Sequence, residues 1–208
     1  LRVVDYSSYG QDGSFPGPQS LEGTLPASLC SLQNLTKLQF QNTQGITGHI
    51  PECLGAEQPL LETLALVGNQ LQGPIPASLC SAGSLAFLVL YDNMLTGTIN
   101  SCFGELVNLQ WLDFSVNSLE GSIPSTLCGL RQATELVLYE NMLSGTIPNC
   151  LSQLTNMQRV ELSANSLAGT IPEALCELRQ MYILYLFRNR LTGAIPACFS
   201  QLTDMEDM

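Results

Sequence analysis

The sequence of 208 residues predicts an α/β solenoid, a stack of short repeats that each hold one strand and one helical turn. Three observations predict this fold. A Gly-x-Ile/Leu-Pro motif recurs about every 24 residues, a short alternating segment precedes each copy, and an asparagine separates the two. The last position of the motif, where an asparagine replaces one proline, falls at Pro26, Pro51, Pro76, Asn100, Pro124, Pro148, Pro172 and Pro196.

The strand of each repeat is predicted by apolar residues that alternate with polar ones, as in Val160-Glu161-Leu162. One face of such a strand is buried and the other faces solvent. The asparagine that follows is expected to satisfy backbone groups that the strand end leaves unpaired, and stacked copies can form a ladder. These asparagines are Asn69, Asn93, Asn117, Asn141, Asn165 and Asn189.

The helical turn of each repeat is predicted by the glycine and the proline of the motif. The glycine permits a tight or left-handed backbone, and the proline can open a short helical turn because its missing N–H is not needed there. A leucine three residues after the proline, as at Leu127, Leu151 and Leu175, is expected to pack inward.

The whole pattern, LxxLxLxxNxLxGxIPxxLxxL, resembles the plant-type leucine-rich repeat over roughly residues 21–208. That class includes the ectodomains of receptor-like kinases and receptor-like proteins, and the polygalacturonase-inhibiting proteins. The resemblance implies a curved right-handed solenoid with a parallel sheet on the concave face and short 3-10 helices on the convex face. It also implies binding of a protein, peptide or glycan outside the cell, without catalysis and without a cofactor.

Residues 1–208 are interpreted as a single domain of about eight repeats, of which the first, residues 1–25, is irregular. Residues 1–7 fit a strand, and the glycines and prolines of residues 10–20 predict an inserted loop. No cap is recognised at either end, where Leu1, Met205 and Met208 would expose the core. Two interpretations stay open: a stretch of a longer receptor-like or secreted protein, or the subunit of a fibre whose chains stack end to end.

The composition excludes several classes of partner. Only 12% of the residues are charged, the net charge is −11, and Lys37 is the one lysine. Nucleic acid is therefore not expected as a partner, because its binding depends on lysine and arginine at the phosphates. An anionic membrane is disfavoured for the same reason, and no apolar run is long enough for a transmembrane segment. A cationic peptide or a basic protein is compatible with this charge.

The eight cysteines alternate between two positions, four and two residues after the proline position. A bridge between neighbouring turns explains the alternation and predicts the pairs Cys30–Cys53, Cys80–Cys102, Cys128–Cys150 and Cys176–Cys198. The other register would strand Cys30 and Cys198, and free buried thiols are the third possibility. Bridges indicate an oxidising compartment, and therefore an extracellular or cell-surface location. Asn34-Leu35-Thr36 is a glycosylation sequon that agrees with it.

The concave face is the candidate binding site, since residues between the buried leucines point towards it. Rings are enriched there and carboxylates lie between them, which suits a sugar chain or a peptide with basic groups. The alternative is that the rings pair across strands and only stabilise the sheet. The candidate residues are Phe87, Tyr91, Trp111, Asp113, Glu135, Tyr139, Glu161, Tyr185 and Phe187.

No catalytic constellation is found, and an enzyme is not expected. The chain has one histidine, His49, and no nucleophile, metal or phosphate motif. Asp113 and Glu161 could serve as an acid–base pair in principle, but we expect neither to be buried enough to be tuned for it.

Overall fold

The computed structural model describes residues 21–43 and 45–208, so the predicted strand at residues 1–7, the loop at residues 10–20 and Leu1 lie outside the described residues. The strands of the described part are, in chain order, β1 (Glu22–Thr24), β2 (Lys37–Gln39), β3 (Gly45–His49), β4 (Thr63–Ala65), β5 (Gln70–Pro74), β6 (Phe87–Val89), β7 (Met94–Thr98), β8 (Trp111–Asp113), β9 (Ser118–Ser122), β10 (Glu135–Val137), β11 (Met142–Ser144), β12 (Arg159–Glu161), β13 (Ala168–Thr170), β14 (Ile183–Tyr185) and β15 (Arg190–Thr192).

The concave sheet is the parallel sheet that the alternating segments predict. Within the described residues it has seven strands in the order β2, β4, β6, β8, β10, β12 and β14, so each repeat adds one strand beside the last. The central residue of every strand faces the core and is at most 2% exposed. These core residues are Leu38, Leu64, Leu88, Leu112, Leu136, Val160 and Leu184.

A second parallel sheet lies on the flank of the solenoid and was not predicted. In the described residues it joins β1, β3, β5, β7, β9 and β11. The next two strands of this flank, β13 and β15, pair with each other as a separate two-stranded sheet. Six of the eight flanking strands in the described residues contain the glycine of the motif, which was expected only to permit a tight or left-handed backbone. In β7, Leu95 enters the core while Met94, Thr96 and Thr98 stay exposed, and Gly97 has a φ of 81°, a value that favours glycine.

The convex face carries the predicted short helices, all of them 3-10 in the described part of the chain. They span Ala27–Ser31, Ala77–Ser81, Ser101–Glu105, Ser125–Gly129, Asn149–Gln153, Glu173–Glu177 and Ala197–Gln201. The prolines lie at the N-cap, one position earlier than expected, and their carbonyl accepts the first helical bond, as from Leu127 N to Pro124 O at 3.0 Å. Asn100, which replaces a proline, accepts the same bond from Phe103 N at 3.2 Å, and its side chain also accepts from Cys102 N.

The asparagine ladder is confirmed. Asn117 Nδ2 donates to the carbonyls of Leu90, Phe114 and Ser115 at 3.0–3.1 Å, and Asn117 Oδ1 accepts from Leu95 N at 2.9 Å. Each such amide therefore joins two successive repeats and closes the strand of its own repeat. Asn93, Asn141, Asn165 and Asn189 repeat the pattern.

The four disulfides form with the predicted pairing, and no cysteine of the described residues is free. The bridged Cα atoms lie 5.7–5.9 Å apart. Neighbouring strands of a sheet are about 4.8 Å apart, so each repeat is wider on the convex side than on the concave side. This difference in width per repeat is what curves the solenoid.

Between two disulfide-bonded pairs of repeats, the neighbouring convex turns meet at a joint that has no disulfide. Glycines lie at the joint between Ser101–Glu105 and Ser125–Gly129. A Cβ atom on Gly104 would collide with the backbone carbonyl of Thr126, and one on Gly129 would collide with the carbonyl of Gly104. Thr126 Oγ1 also donates to Ser101 O at 2.6 Å. The turns Ser101–Glu105 and Ser125–Gly129 are therefore in close backbone contact at a joint that has no disulfide.

Candidate functional site

The concave sheet presents its outward side chains in three columns that run along the solenoid, because its strands pair in register. The first column holds Lys37, Thr63, Phe87, Trp111, Glu135, Arg159 and Ile183. The second column holds Gln39, Ala65, Val89, Asp113, Val137, Glu161 and Tyr185. The third column follows the strand ends and holds Gln41, Val67, Tyr91, Ser115, Tyr139, Ser163 and Phe187.

An apolar floor occupies the strands β4 and β6. We use this name for Ala65, Val67 and Val89, which are buried at 0–8% exposure although they point away from the core. Tyr91 and Trp111 pack against them and are themselves half-buried. The floor and its two rings form a second, smaller apolar cluster, separate from the main core.

Asp113 is buried, contrary to the expectation from the sequence. It is 7% exposed, and its Oδ1 accepts from Ser115 N at 3.0 Å and from Ser115 Oγ at 2.5 Å. Burial raises the pKa of Asp113 to about 6, while the bonds from Ser115 and the charge of Arg159 oppose the shift. Nearby, burial and then the phenol of Tyr91 raise the pKa of Tyr139 to about 12.

The charged cluster lies next to these residues; we use this name for Asp113, Glu135, Arg159 and Glu161. Glu161 is also buried, at 6% exposure, which again differs from the expectation. Arg159 donates from Nε to Glu161 Oε1 at 2.8 Å, and its Nη2 lies 2.7 Å from the same oxygen. Glu135 Oε2 is 3.7 Å from Arg159 Nη1, too far for a hydrogen bond. Burial raises the pKa of Glu135, Arg159 opposes the shift, and Glu161 adds to it.

The remaining candidate rings lie nearer the two ends of the sheet. Phe87 is half-exposed and borders an open depression lined by polar side chains, among them Lys37 and Gln110. Tyr185 and Phe187 make an edge-to-face contact with ring centroids 5.8 Å apart, and Phe187 is 56% exposed. Tyr185 Oη donates to Asp207 Oδ2 at 2.6 Å. Tyr185 and Phe187 therefore lie apart from the central group of Tyr91, Trp111 and Tyr139, whereas Phe87 is the register partner of Trp111.

The other predicted sites are placed as follows. Asn34 is exposed in a turn after the helix Ala27–Ser31, so the sequon is accessible, and glycosylation there stays a prediction. Met205 packs against the core, whereas Met208 is 59% exposed and Asp207 forms a parallel bridge with Ile183. Assembly through this end also stays a prediction.

The described residues form neither a metal site nor a membrane-spanning helix. No group of histidine, cysteine, aspartate and glutamate side chains there is arranged to hold a metal ion. No helix of that part has the length and apolar character needed to cross a membrane.

One row of residues at the rim of the concave sheet was missed by the sequence analysis. Directly after the third column, a residue with φ of 51–58° turns each chain segment towards the asparagine ladder. The non-glycine members are Asn42, Asp92, Val116, Glu140, Ala164 and Arg188. Only the asparagine and the aspartate are typical of this backbone, so residue type gave no usable signal.

The comparisons with known proteins agree with this architecture. Residues 108–130 and 180–202 match the family model described as Leucine Rich Repeat. A search of curated protein sequences finds no relative of the chain.

Several solved structures share the fold. The ectodomain of the Arabidopsis thaliana receptor kinase GASSHO1/SCHENGEN3, in complex with CASPARIAN STRIP INTEGRITY FACTOR 2, has a TM-score of 0.85 and 35% identity over 88% of this chain and 22% of that chain. The Arabidopsis receptor kinase HAESA ectodomain, in complex with an extended IDA peptide hormone, has a TM-score of 0.85 and 30% identity over 90% of this chain and 32% of that chain.

A plant ice-binding protein has a TM-score of 0.73 and 23% identity over 91% of this chain and 68% of that chain, a likeness of fold alone. The chain spans about a fifth and about a third of the length of the two receptor ectodomains. The chain therefore carries leucine-rich repeats and folds as a leucine-rich repeat solenoid, similar to the ectodomains of plant receptor kinases.

Proposed function

We propose that this chain is a non-catalytic, extracellular recognition module that binds a peptide, or an extended segment of a protein, on its concave sheet. One observation carries the proposal: an apolar floor covered by Tyr91 and Trp111 lies beside a charged cluster on the outward face of the concave sheet. Aromatic side chains supply much contact area at a small entropy cost and are enriched among residues that dominate binding energy.

The rigidity of the sheet supports this proposal. The concave strands are joined in register, the asparagine amides tie successive repeats together, and four disulfides brace the opposite face. The rings are thus held in place before a ligand arrives, so little conformational entropy is lost on binding. The four bridges also support an oxidising, extracellular location.

A peptide fits the surface better than a glycan does. An uncharged sugar chain would make little use of the charged cluster, whereas a peptide can offer apolar and charged side chains at a fixed spacing. Two ectodomains of similar fold, at 35% and 30% identity, were solved with CASPARIAN STRIP INTEGRITY FACTOR 2 and with a peptide hormone, respectively. This likeness supports the same class of ligand for the present chain.

The test is selection of ligands from random linear peptides displayed on phage, with the disulfide-bonded chain as the target. We expect enriched peptides whose Kd rises about tenfold or more in the double variant Trp111→Ala/Tyr139→Ala, because the variant removes two central rings. Titration calorimetry of the synthetic peptides measures this change.

The matched control is Met142→Ala, which truncates a side chain that is 54% exposed on the flanking sheet. It should leave the Kd unchanged, and thermal unfolding of each variant checks that the fold is intact. The proposal fails if no peptide is enriched, or if the enriched peptides bind the double variant as well as the unchanged chain.

A further inference from the structure

An open depression lies at the edge of the concave sheet where its strands begin, on the side opposite the asparagine ladder. Its volume is about 430 Å³, within the range of about 300–1,000 Å³ that is usual for small-molecule sites. Thr63 and Phe87, the first residues of β4 and β6, are part of its lining. The apolar floor and the charged cluster lie outside it.

Two small residues of one repeat create this depression. Ala86 lies between Glu62 and Gln110, which occupy the equivalent positions of the neighbouring repeats. Backbone bonds hold the three in line, from Ala86 N to Glu62 O at 2.9 Å and from Gln110 N to Ala86 O at 2.8 Å. Ser84 lies in the same way beside the longer Asn108. The surface is therefore lower at this repeat, because its neighbours carry longer side chains.

The lining offers hydrogen-bonding groups that solvent can reach. Asn108, Gln110 and Gln132 are exposed, and each side-chain amide contains both donors and an acceptor. Asn108 Nδ2 donates to Gly83 O at 2.8 Å, which holds this amide in place and leaves its Oδ1 as an acceptor. The depression is therefore equipped for a ligand that both donates and accepts hydrogen bonds.

The charges and the apolar groups of the lining narrow the class of ligand. Lys37 and Glu62 are both exposed and carry opposite charges, so the lining has no net charge, unlike the charged cluster. Of its nine residues only Ala86 and Phe87 are apolar, and Phe87 is partly exposed. A neutral ligand with many hydroxyl groups and one apolar face fits this lining better than an apolar or a charged side chain does.

A saccharide has this chemistry. Each hydroxyl group both donates and accepts, so it can pair with either end of a carboxamide. The C–H groups on one face of a sugar ring can pack on the negative face of an aromatic ring. We propose that the depression is a second binding site, which takes a neutral saccharide with a sugar ring on Phe87 and hydroxyl groups at Asn108, Gln110 and Gln132. This site is separate from the peptide site and goes beyond the proposed function.

The test is titration of the disulfide-bonded chain with the neutral tetrasaccharides of glucose, mannose, xylose and N-acetylglucosamine, followed by NMR spectroscopy. We expect at least one of them to bind with a Kd of about 1 mM or below. Phe87→Ala and Ala86→Gln should each raise this Kd about tenfold or more, because one removes the ring and the other fills the depression. Ala86→Gln introduces the side chain that the next repeat carries as Gln110, so the fold should accept it.

The matched control is Thr96→Gln, which adds the same side chain at an exposed position of β7 on the flanking sheet. It should change the Kd less than about twofold, because it lies outside the depression. Thermal unfolding of each variant checks that the fold is intact.

The inference is overturned if no tetrasaccharide binds at about 10 mM, or if the saccharide binds Ala86→Gln and Thr96→Gln equally well. It is also overturned if binding survives in Ala86→Gln but is lost in Trp111→Ala/Tyr139→Ala, because the saccharide would then occupy the central rings. The first two results would leave the proposed peptide site standing, since the peptide selection tests that site on its own.

Discussion

Asp113 shows how a residue on the open face of a sheet can still be buried. The sequence places it between two core residues, which predicts an outward side chain, and its direction is as predicted. Its burial is not, because the concave side brings neighbouring strands close enough for large side chains to cover a smaller one. Tyr139, on the next repeat, lies near enough to interact with both Ser115 and Asp113, a relation between repeats that no local pattern contains.

The buried carboxylate makes stability depend on pH. The pKa of Asp113 is about 6 in the folded chain, compared with an ordinary value of 3.8, so the folded chain holds the proton more tightly than the unfolded chain. The cost of its charge is therefore absent below pH 3.8, grows between pH 3.8 and 6, and is complete above pH 6.

We expect Asp113→Asn to raise the free energy of unfolding by about 1–3 kcal/mol above pH 6, because the amide keeps an acceptor for Ser115 and carries no charge. The gain should disappear as the pH falls towards 3.8. Urea denaturation at both pH values measures it. Asp204→Asn, at an exposed position, is the control that should show no such dependence. An equal gain at both pH values would contradict the explanation.

Of the three kinds of secondary-structure element, the sequence predicted the concave strands and the convex helices but not the flanking strands. The concave strands were predicted because apolar and polar residues alternate in them. Most of the flanking strands contain a glycine with positive φ, so the same motif also fits a turn, and only the stacking of repeats pairs these segments. The convex helices were predicted by their prolines, and their 3-10 form came from the resemblance.

Gly104 tests the close approach of two convex turns. Gly104→Ala should lower the free energy of unfolding by about 1–3 kcal/mol, because the new methyl group would press on the Thr126 backbone, which cannot move as a side chain can. Gly83→Ala is the control: its new Cβ would meet nothing within 4 Å, so stability should stay equal or rise slightly. Chemical denaturation compares the two variants, and equal effects would argue against a tight joint.

At the scale of the whole molecule, the period of the motif was enough to predict the stack, and the alternation of cysteines was enough to predict the bridges. The site was predicted less completely. The outward direction of the candidate side chains was predicted, but which of them are buried depends on contacts between successive repeats. The ion pair between Arg159 and Glu161 is one example, since the sequence analysis did not include Arg159 among the candidate site residues.

The bridges should contribute strongly to global stability. Replacing Cys128 and Cys150 by serine opens a loop of 22 residues and should lower the free energy of unfolding by about 3 kcal/mol, because the unfolded chain gains freedom. A thiol reagent should find no reactive cysteine in the native chain and eight after denaturation and reduction. Reactive thiols before reduction would contradict the pairing.

The alternation of bridged and unbridged joints also gives the solenoid a period of two repeats. Each disulfide takes one cysteine from a repeat of one type and one from the repeat that follows, and the small residues at the next joint leave no space for a further bridge. Adding or deleting one repeat would leave an odd thiol and place two joints of the same type side by side. Adding or deleting two would preserve every bridge and every joint. In a protein built in this way, a change of length by two repeats preserves every bridge, so the unit of its architecture is the pair of repeats.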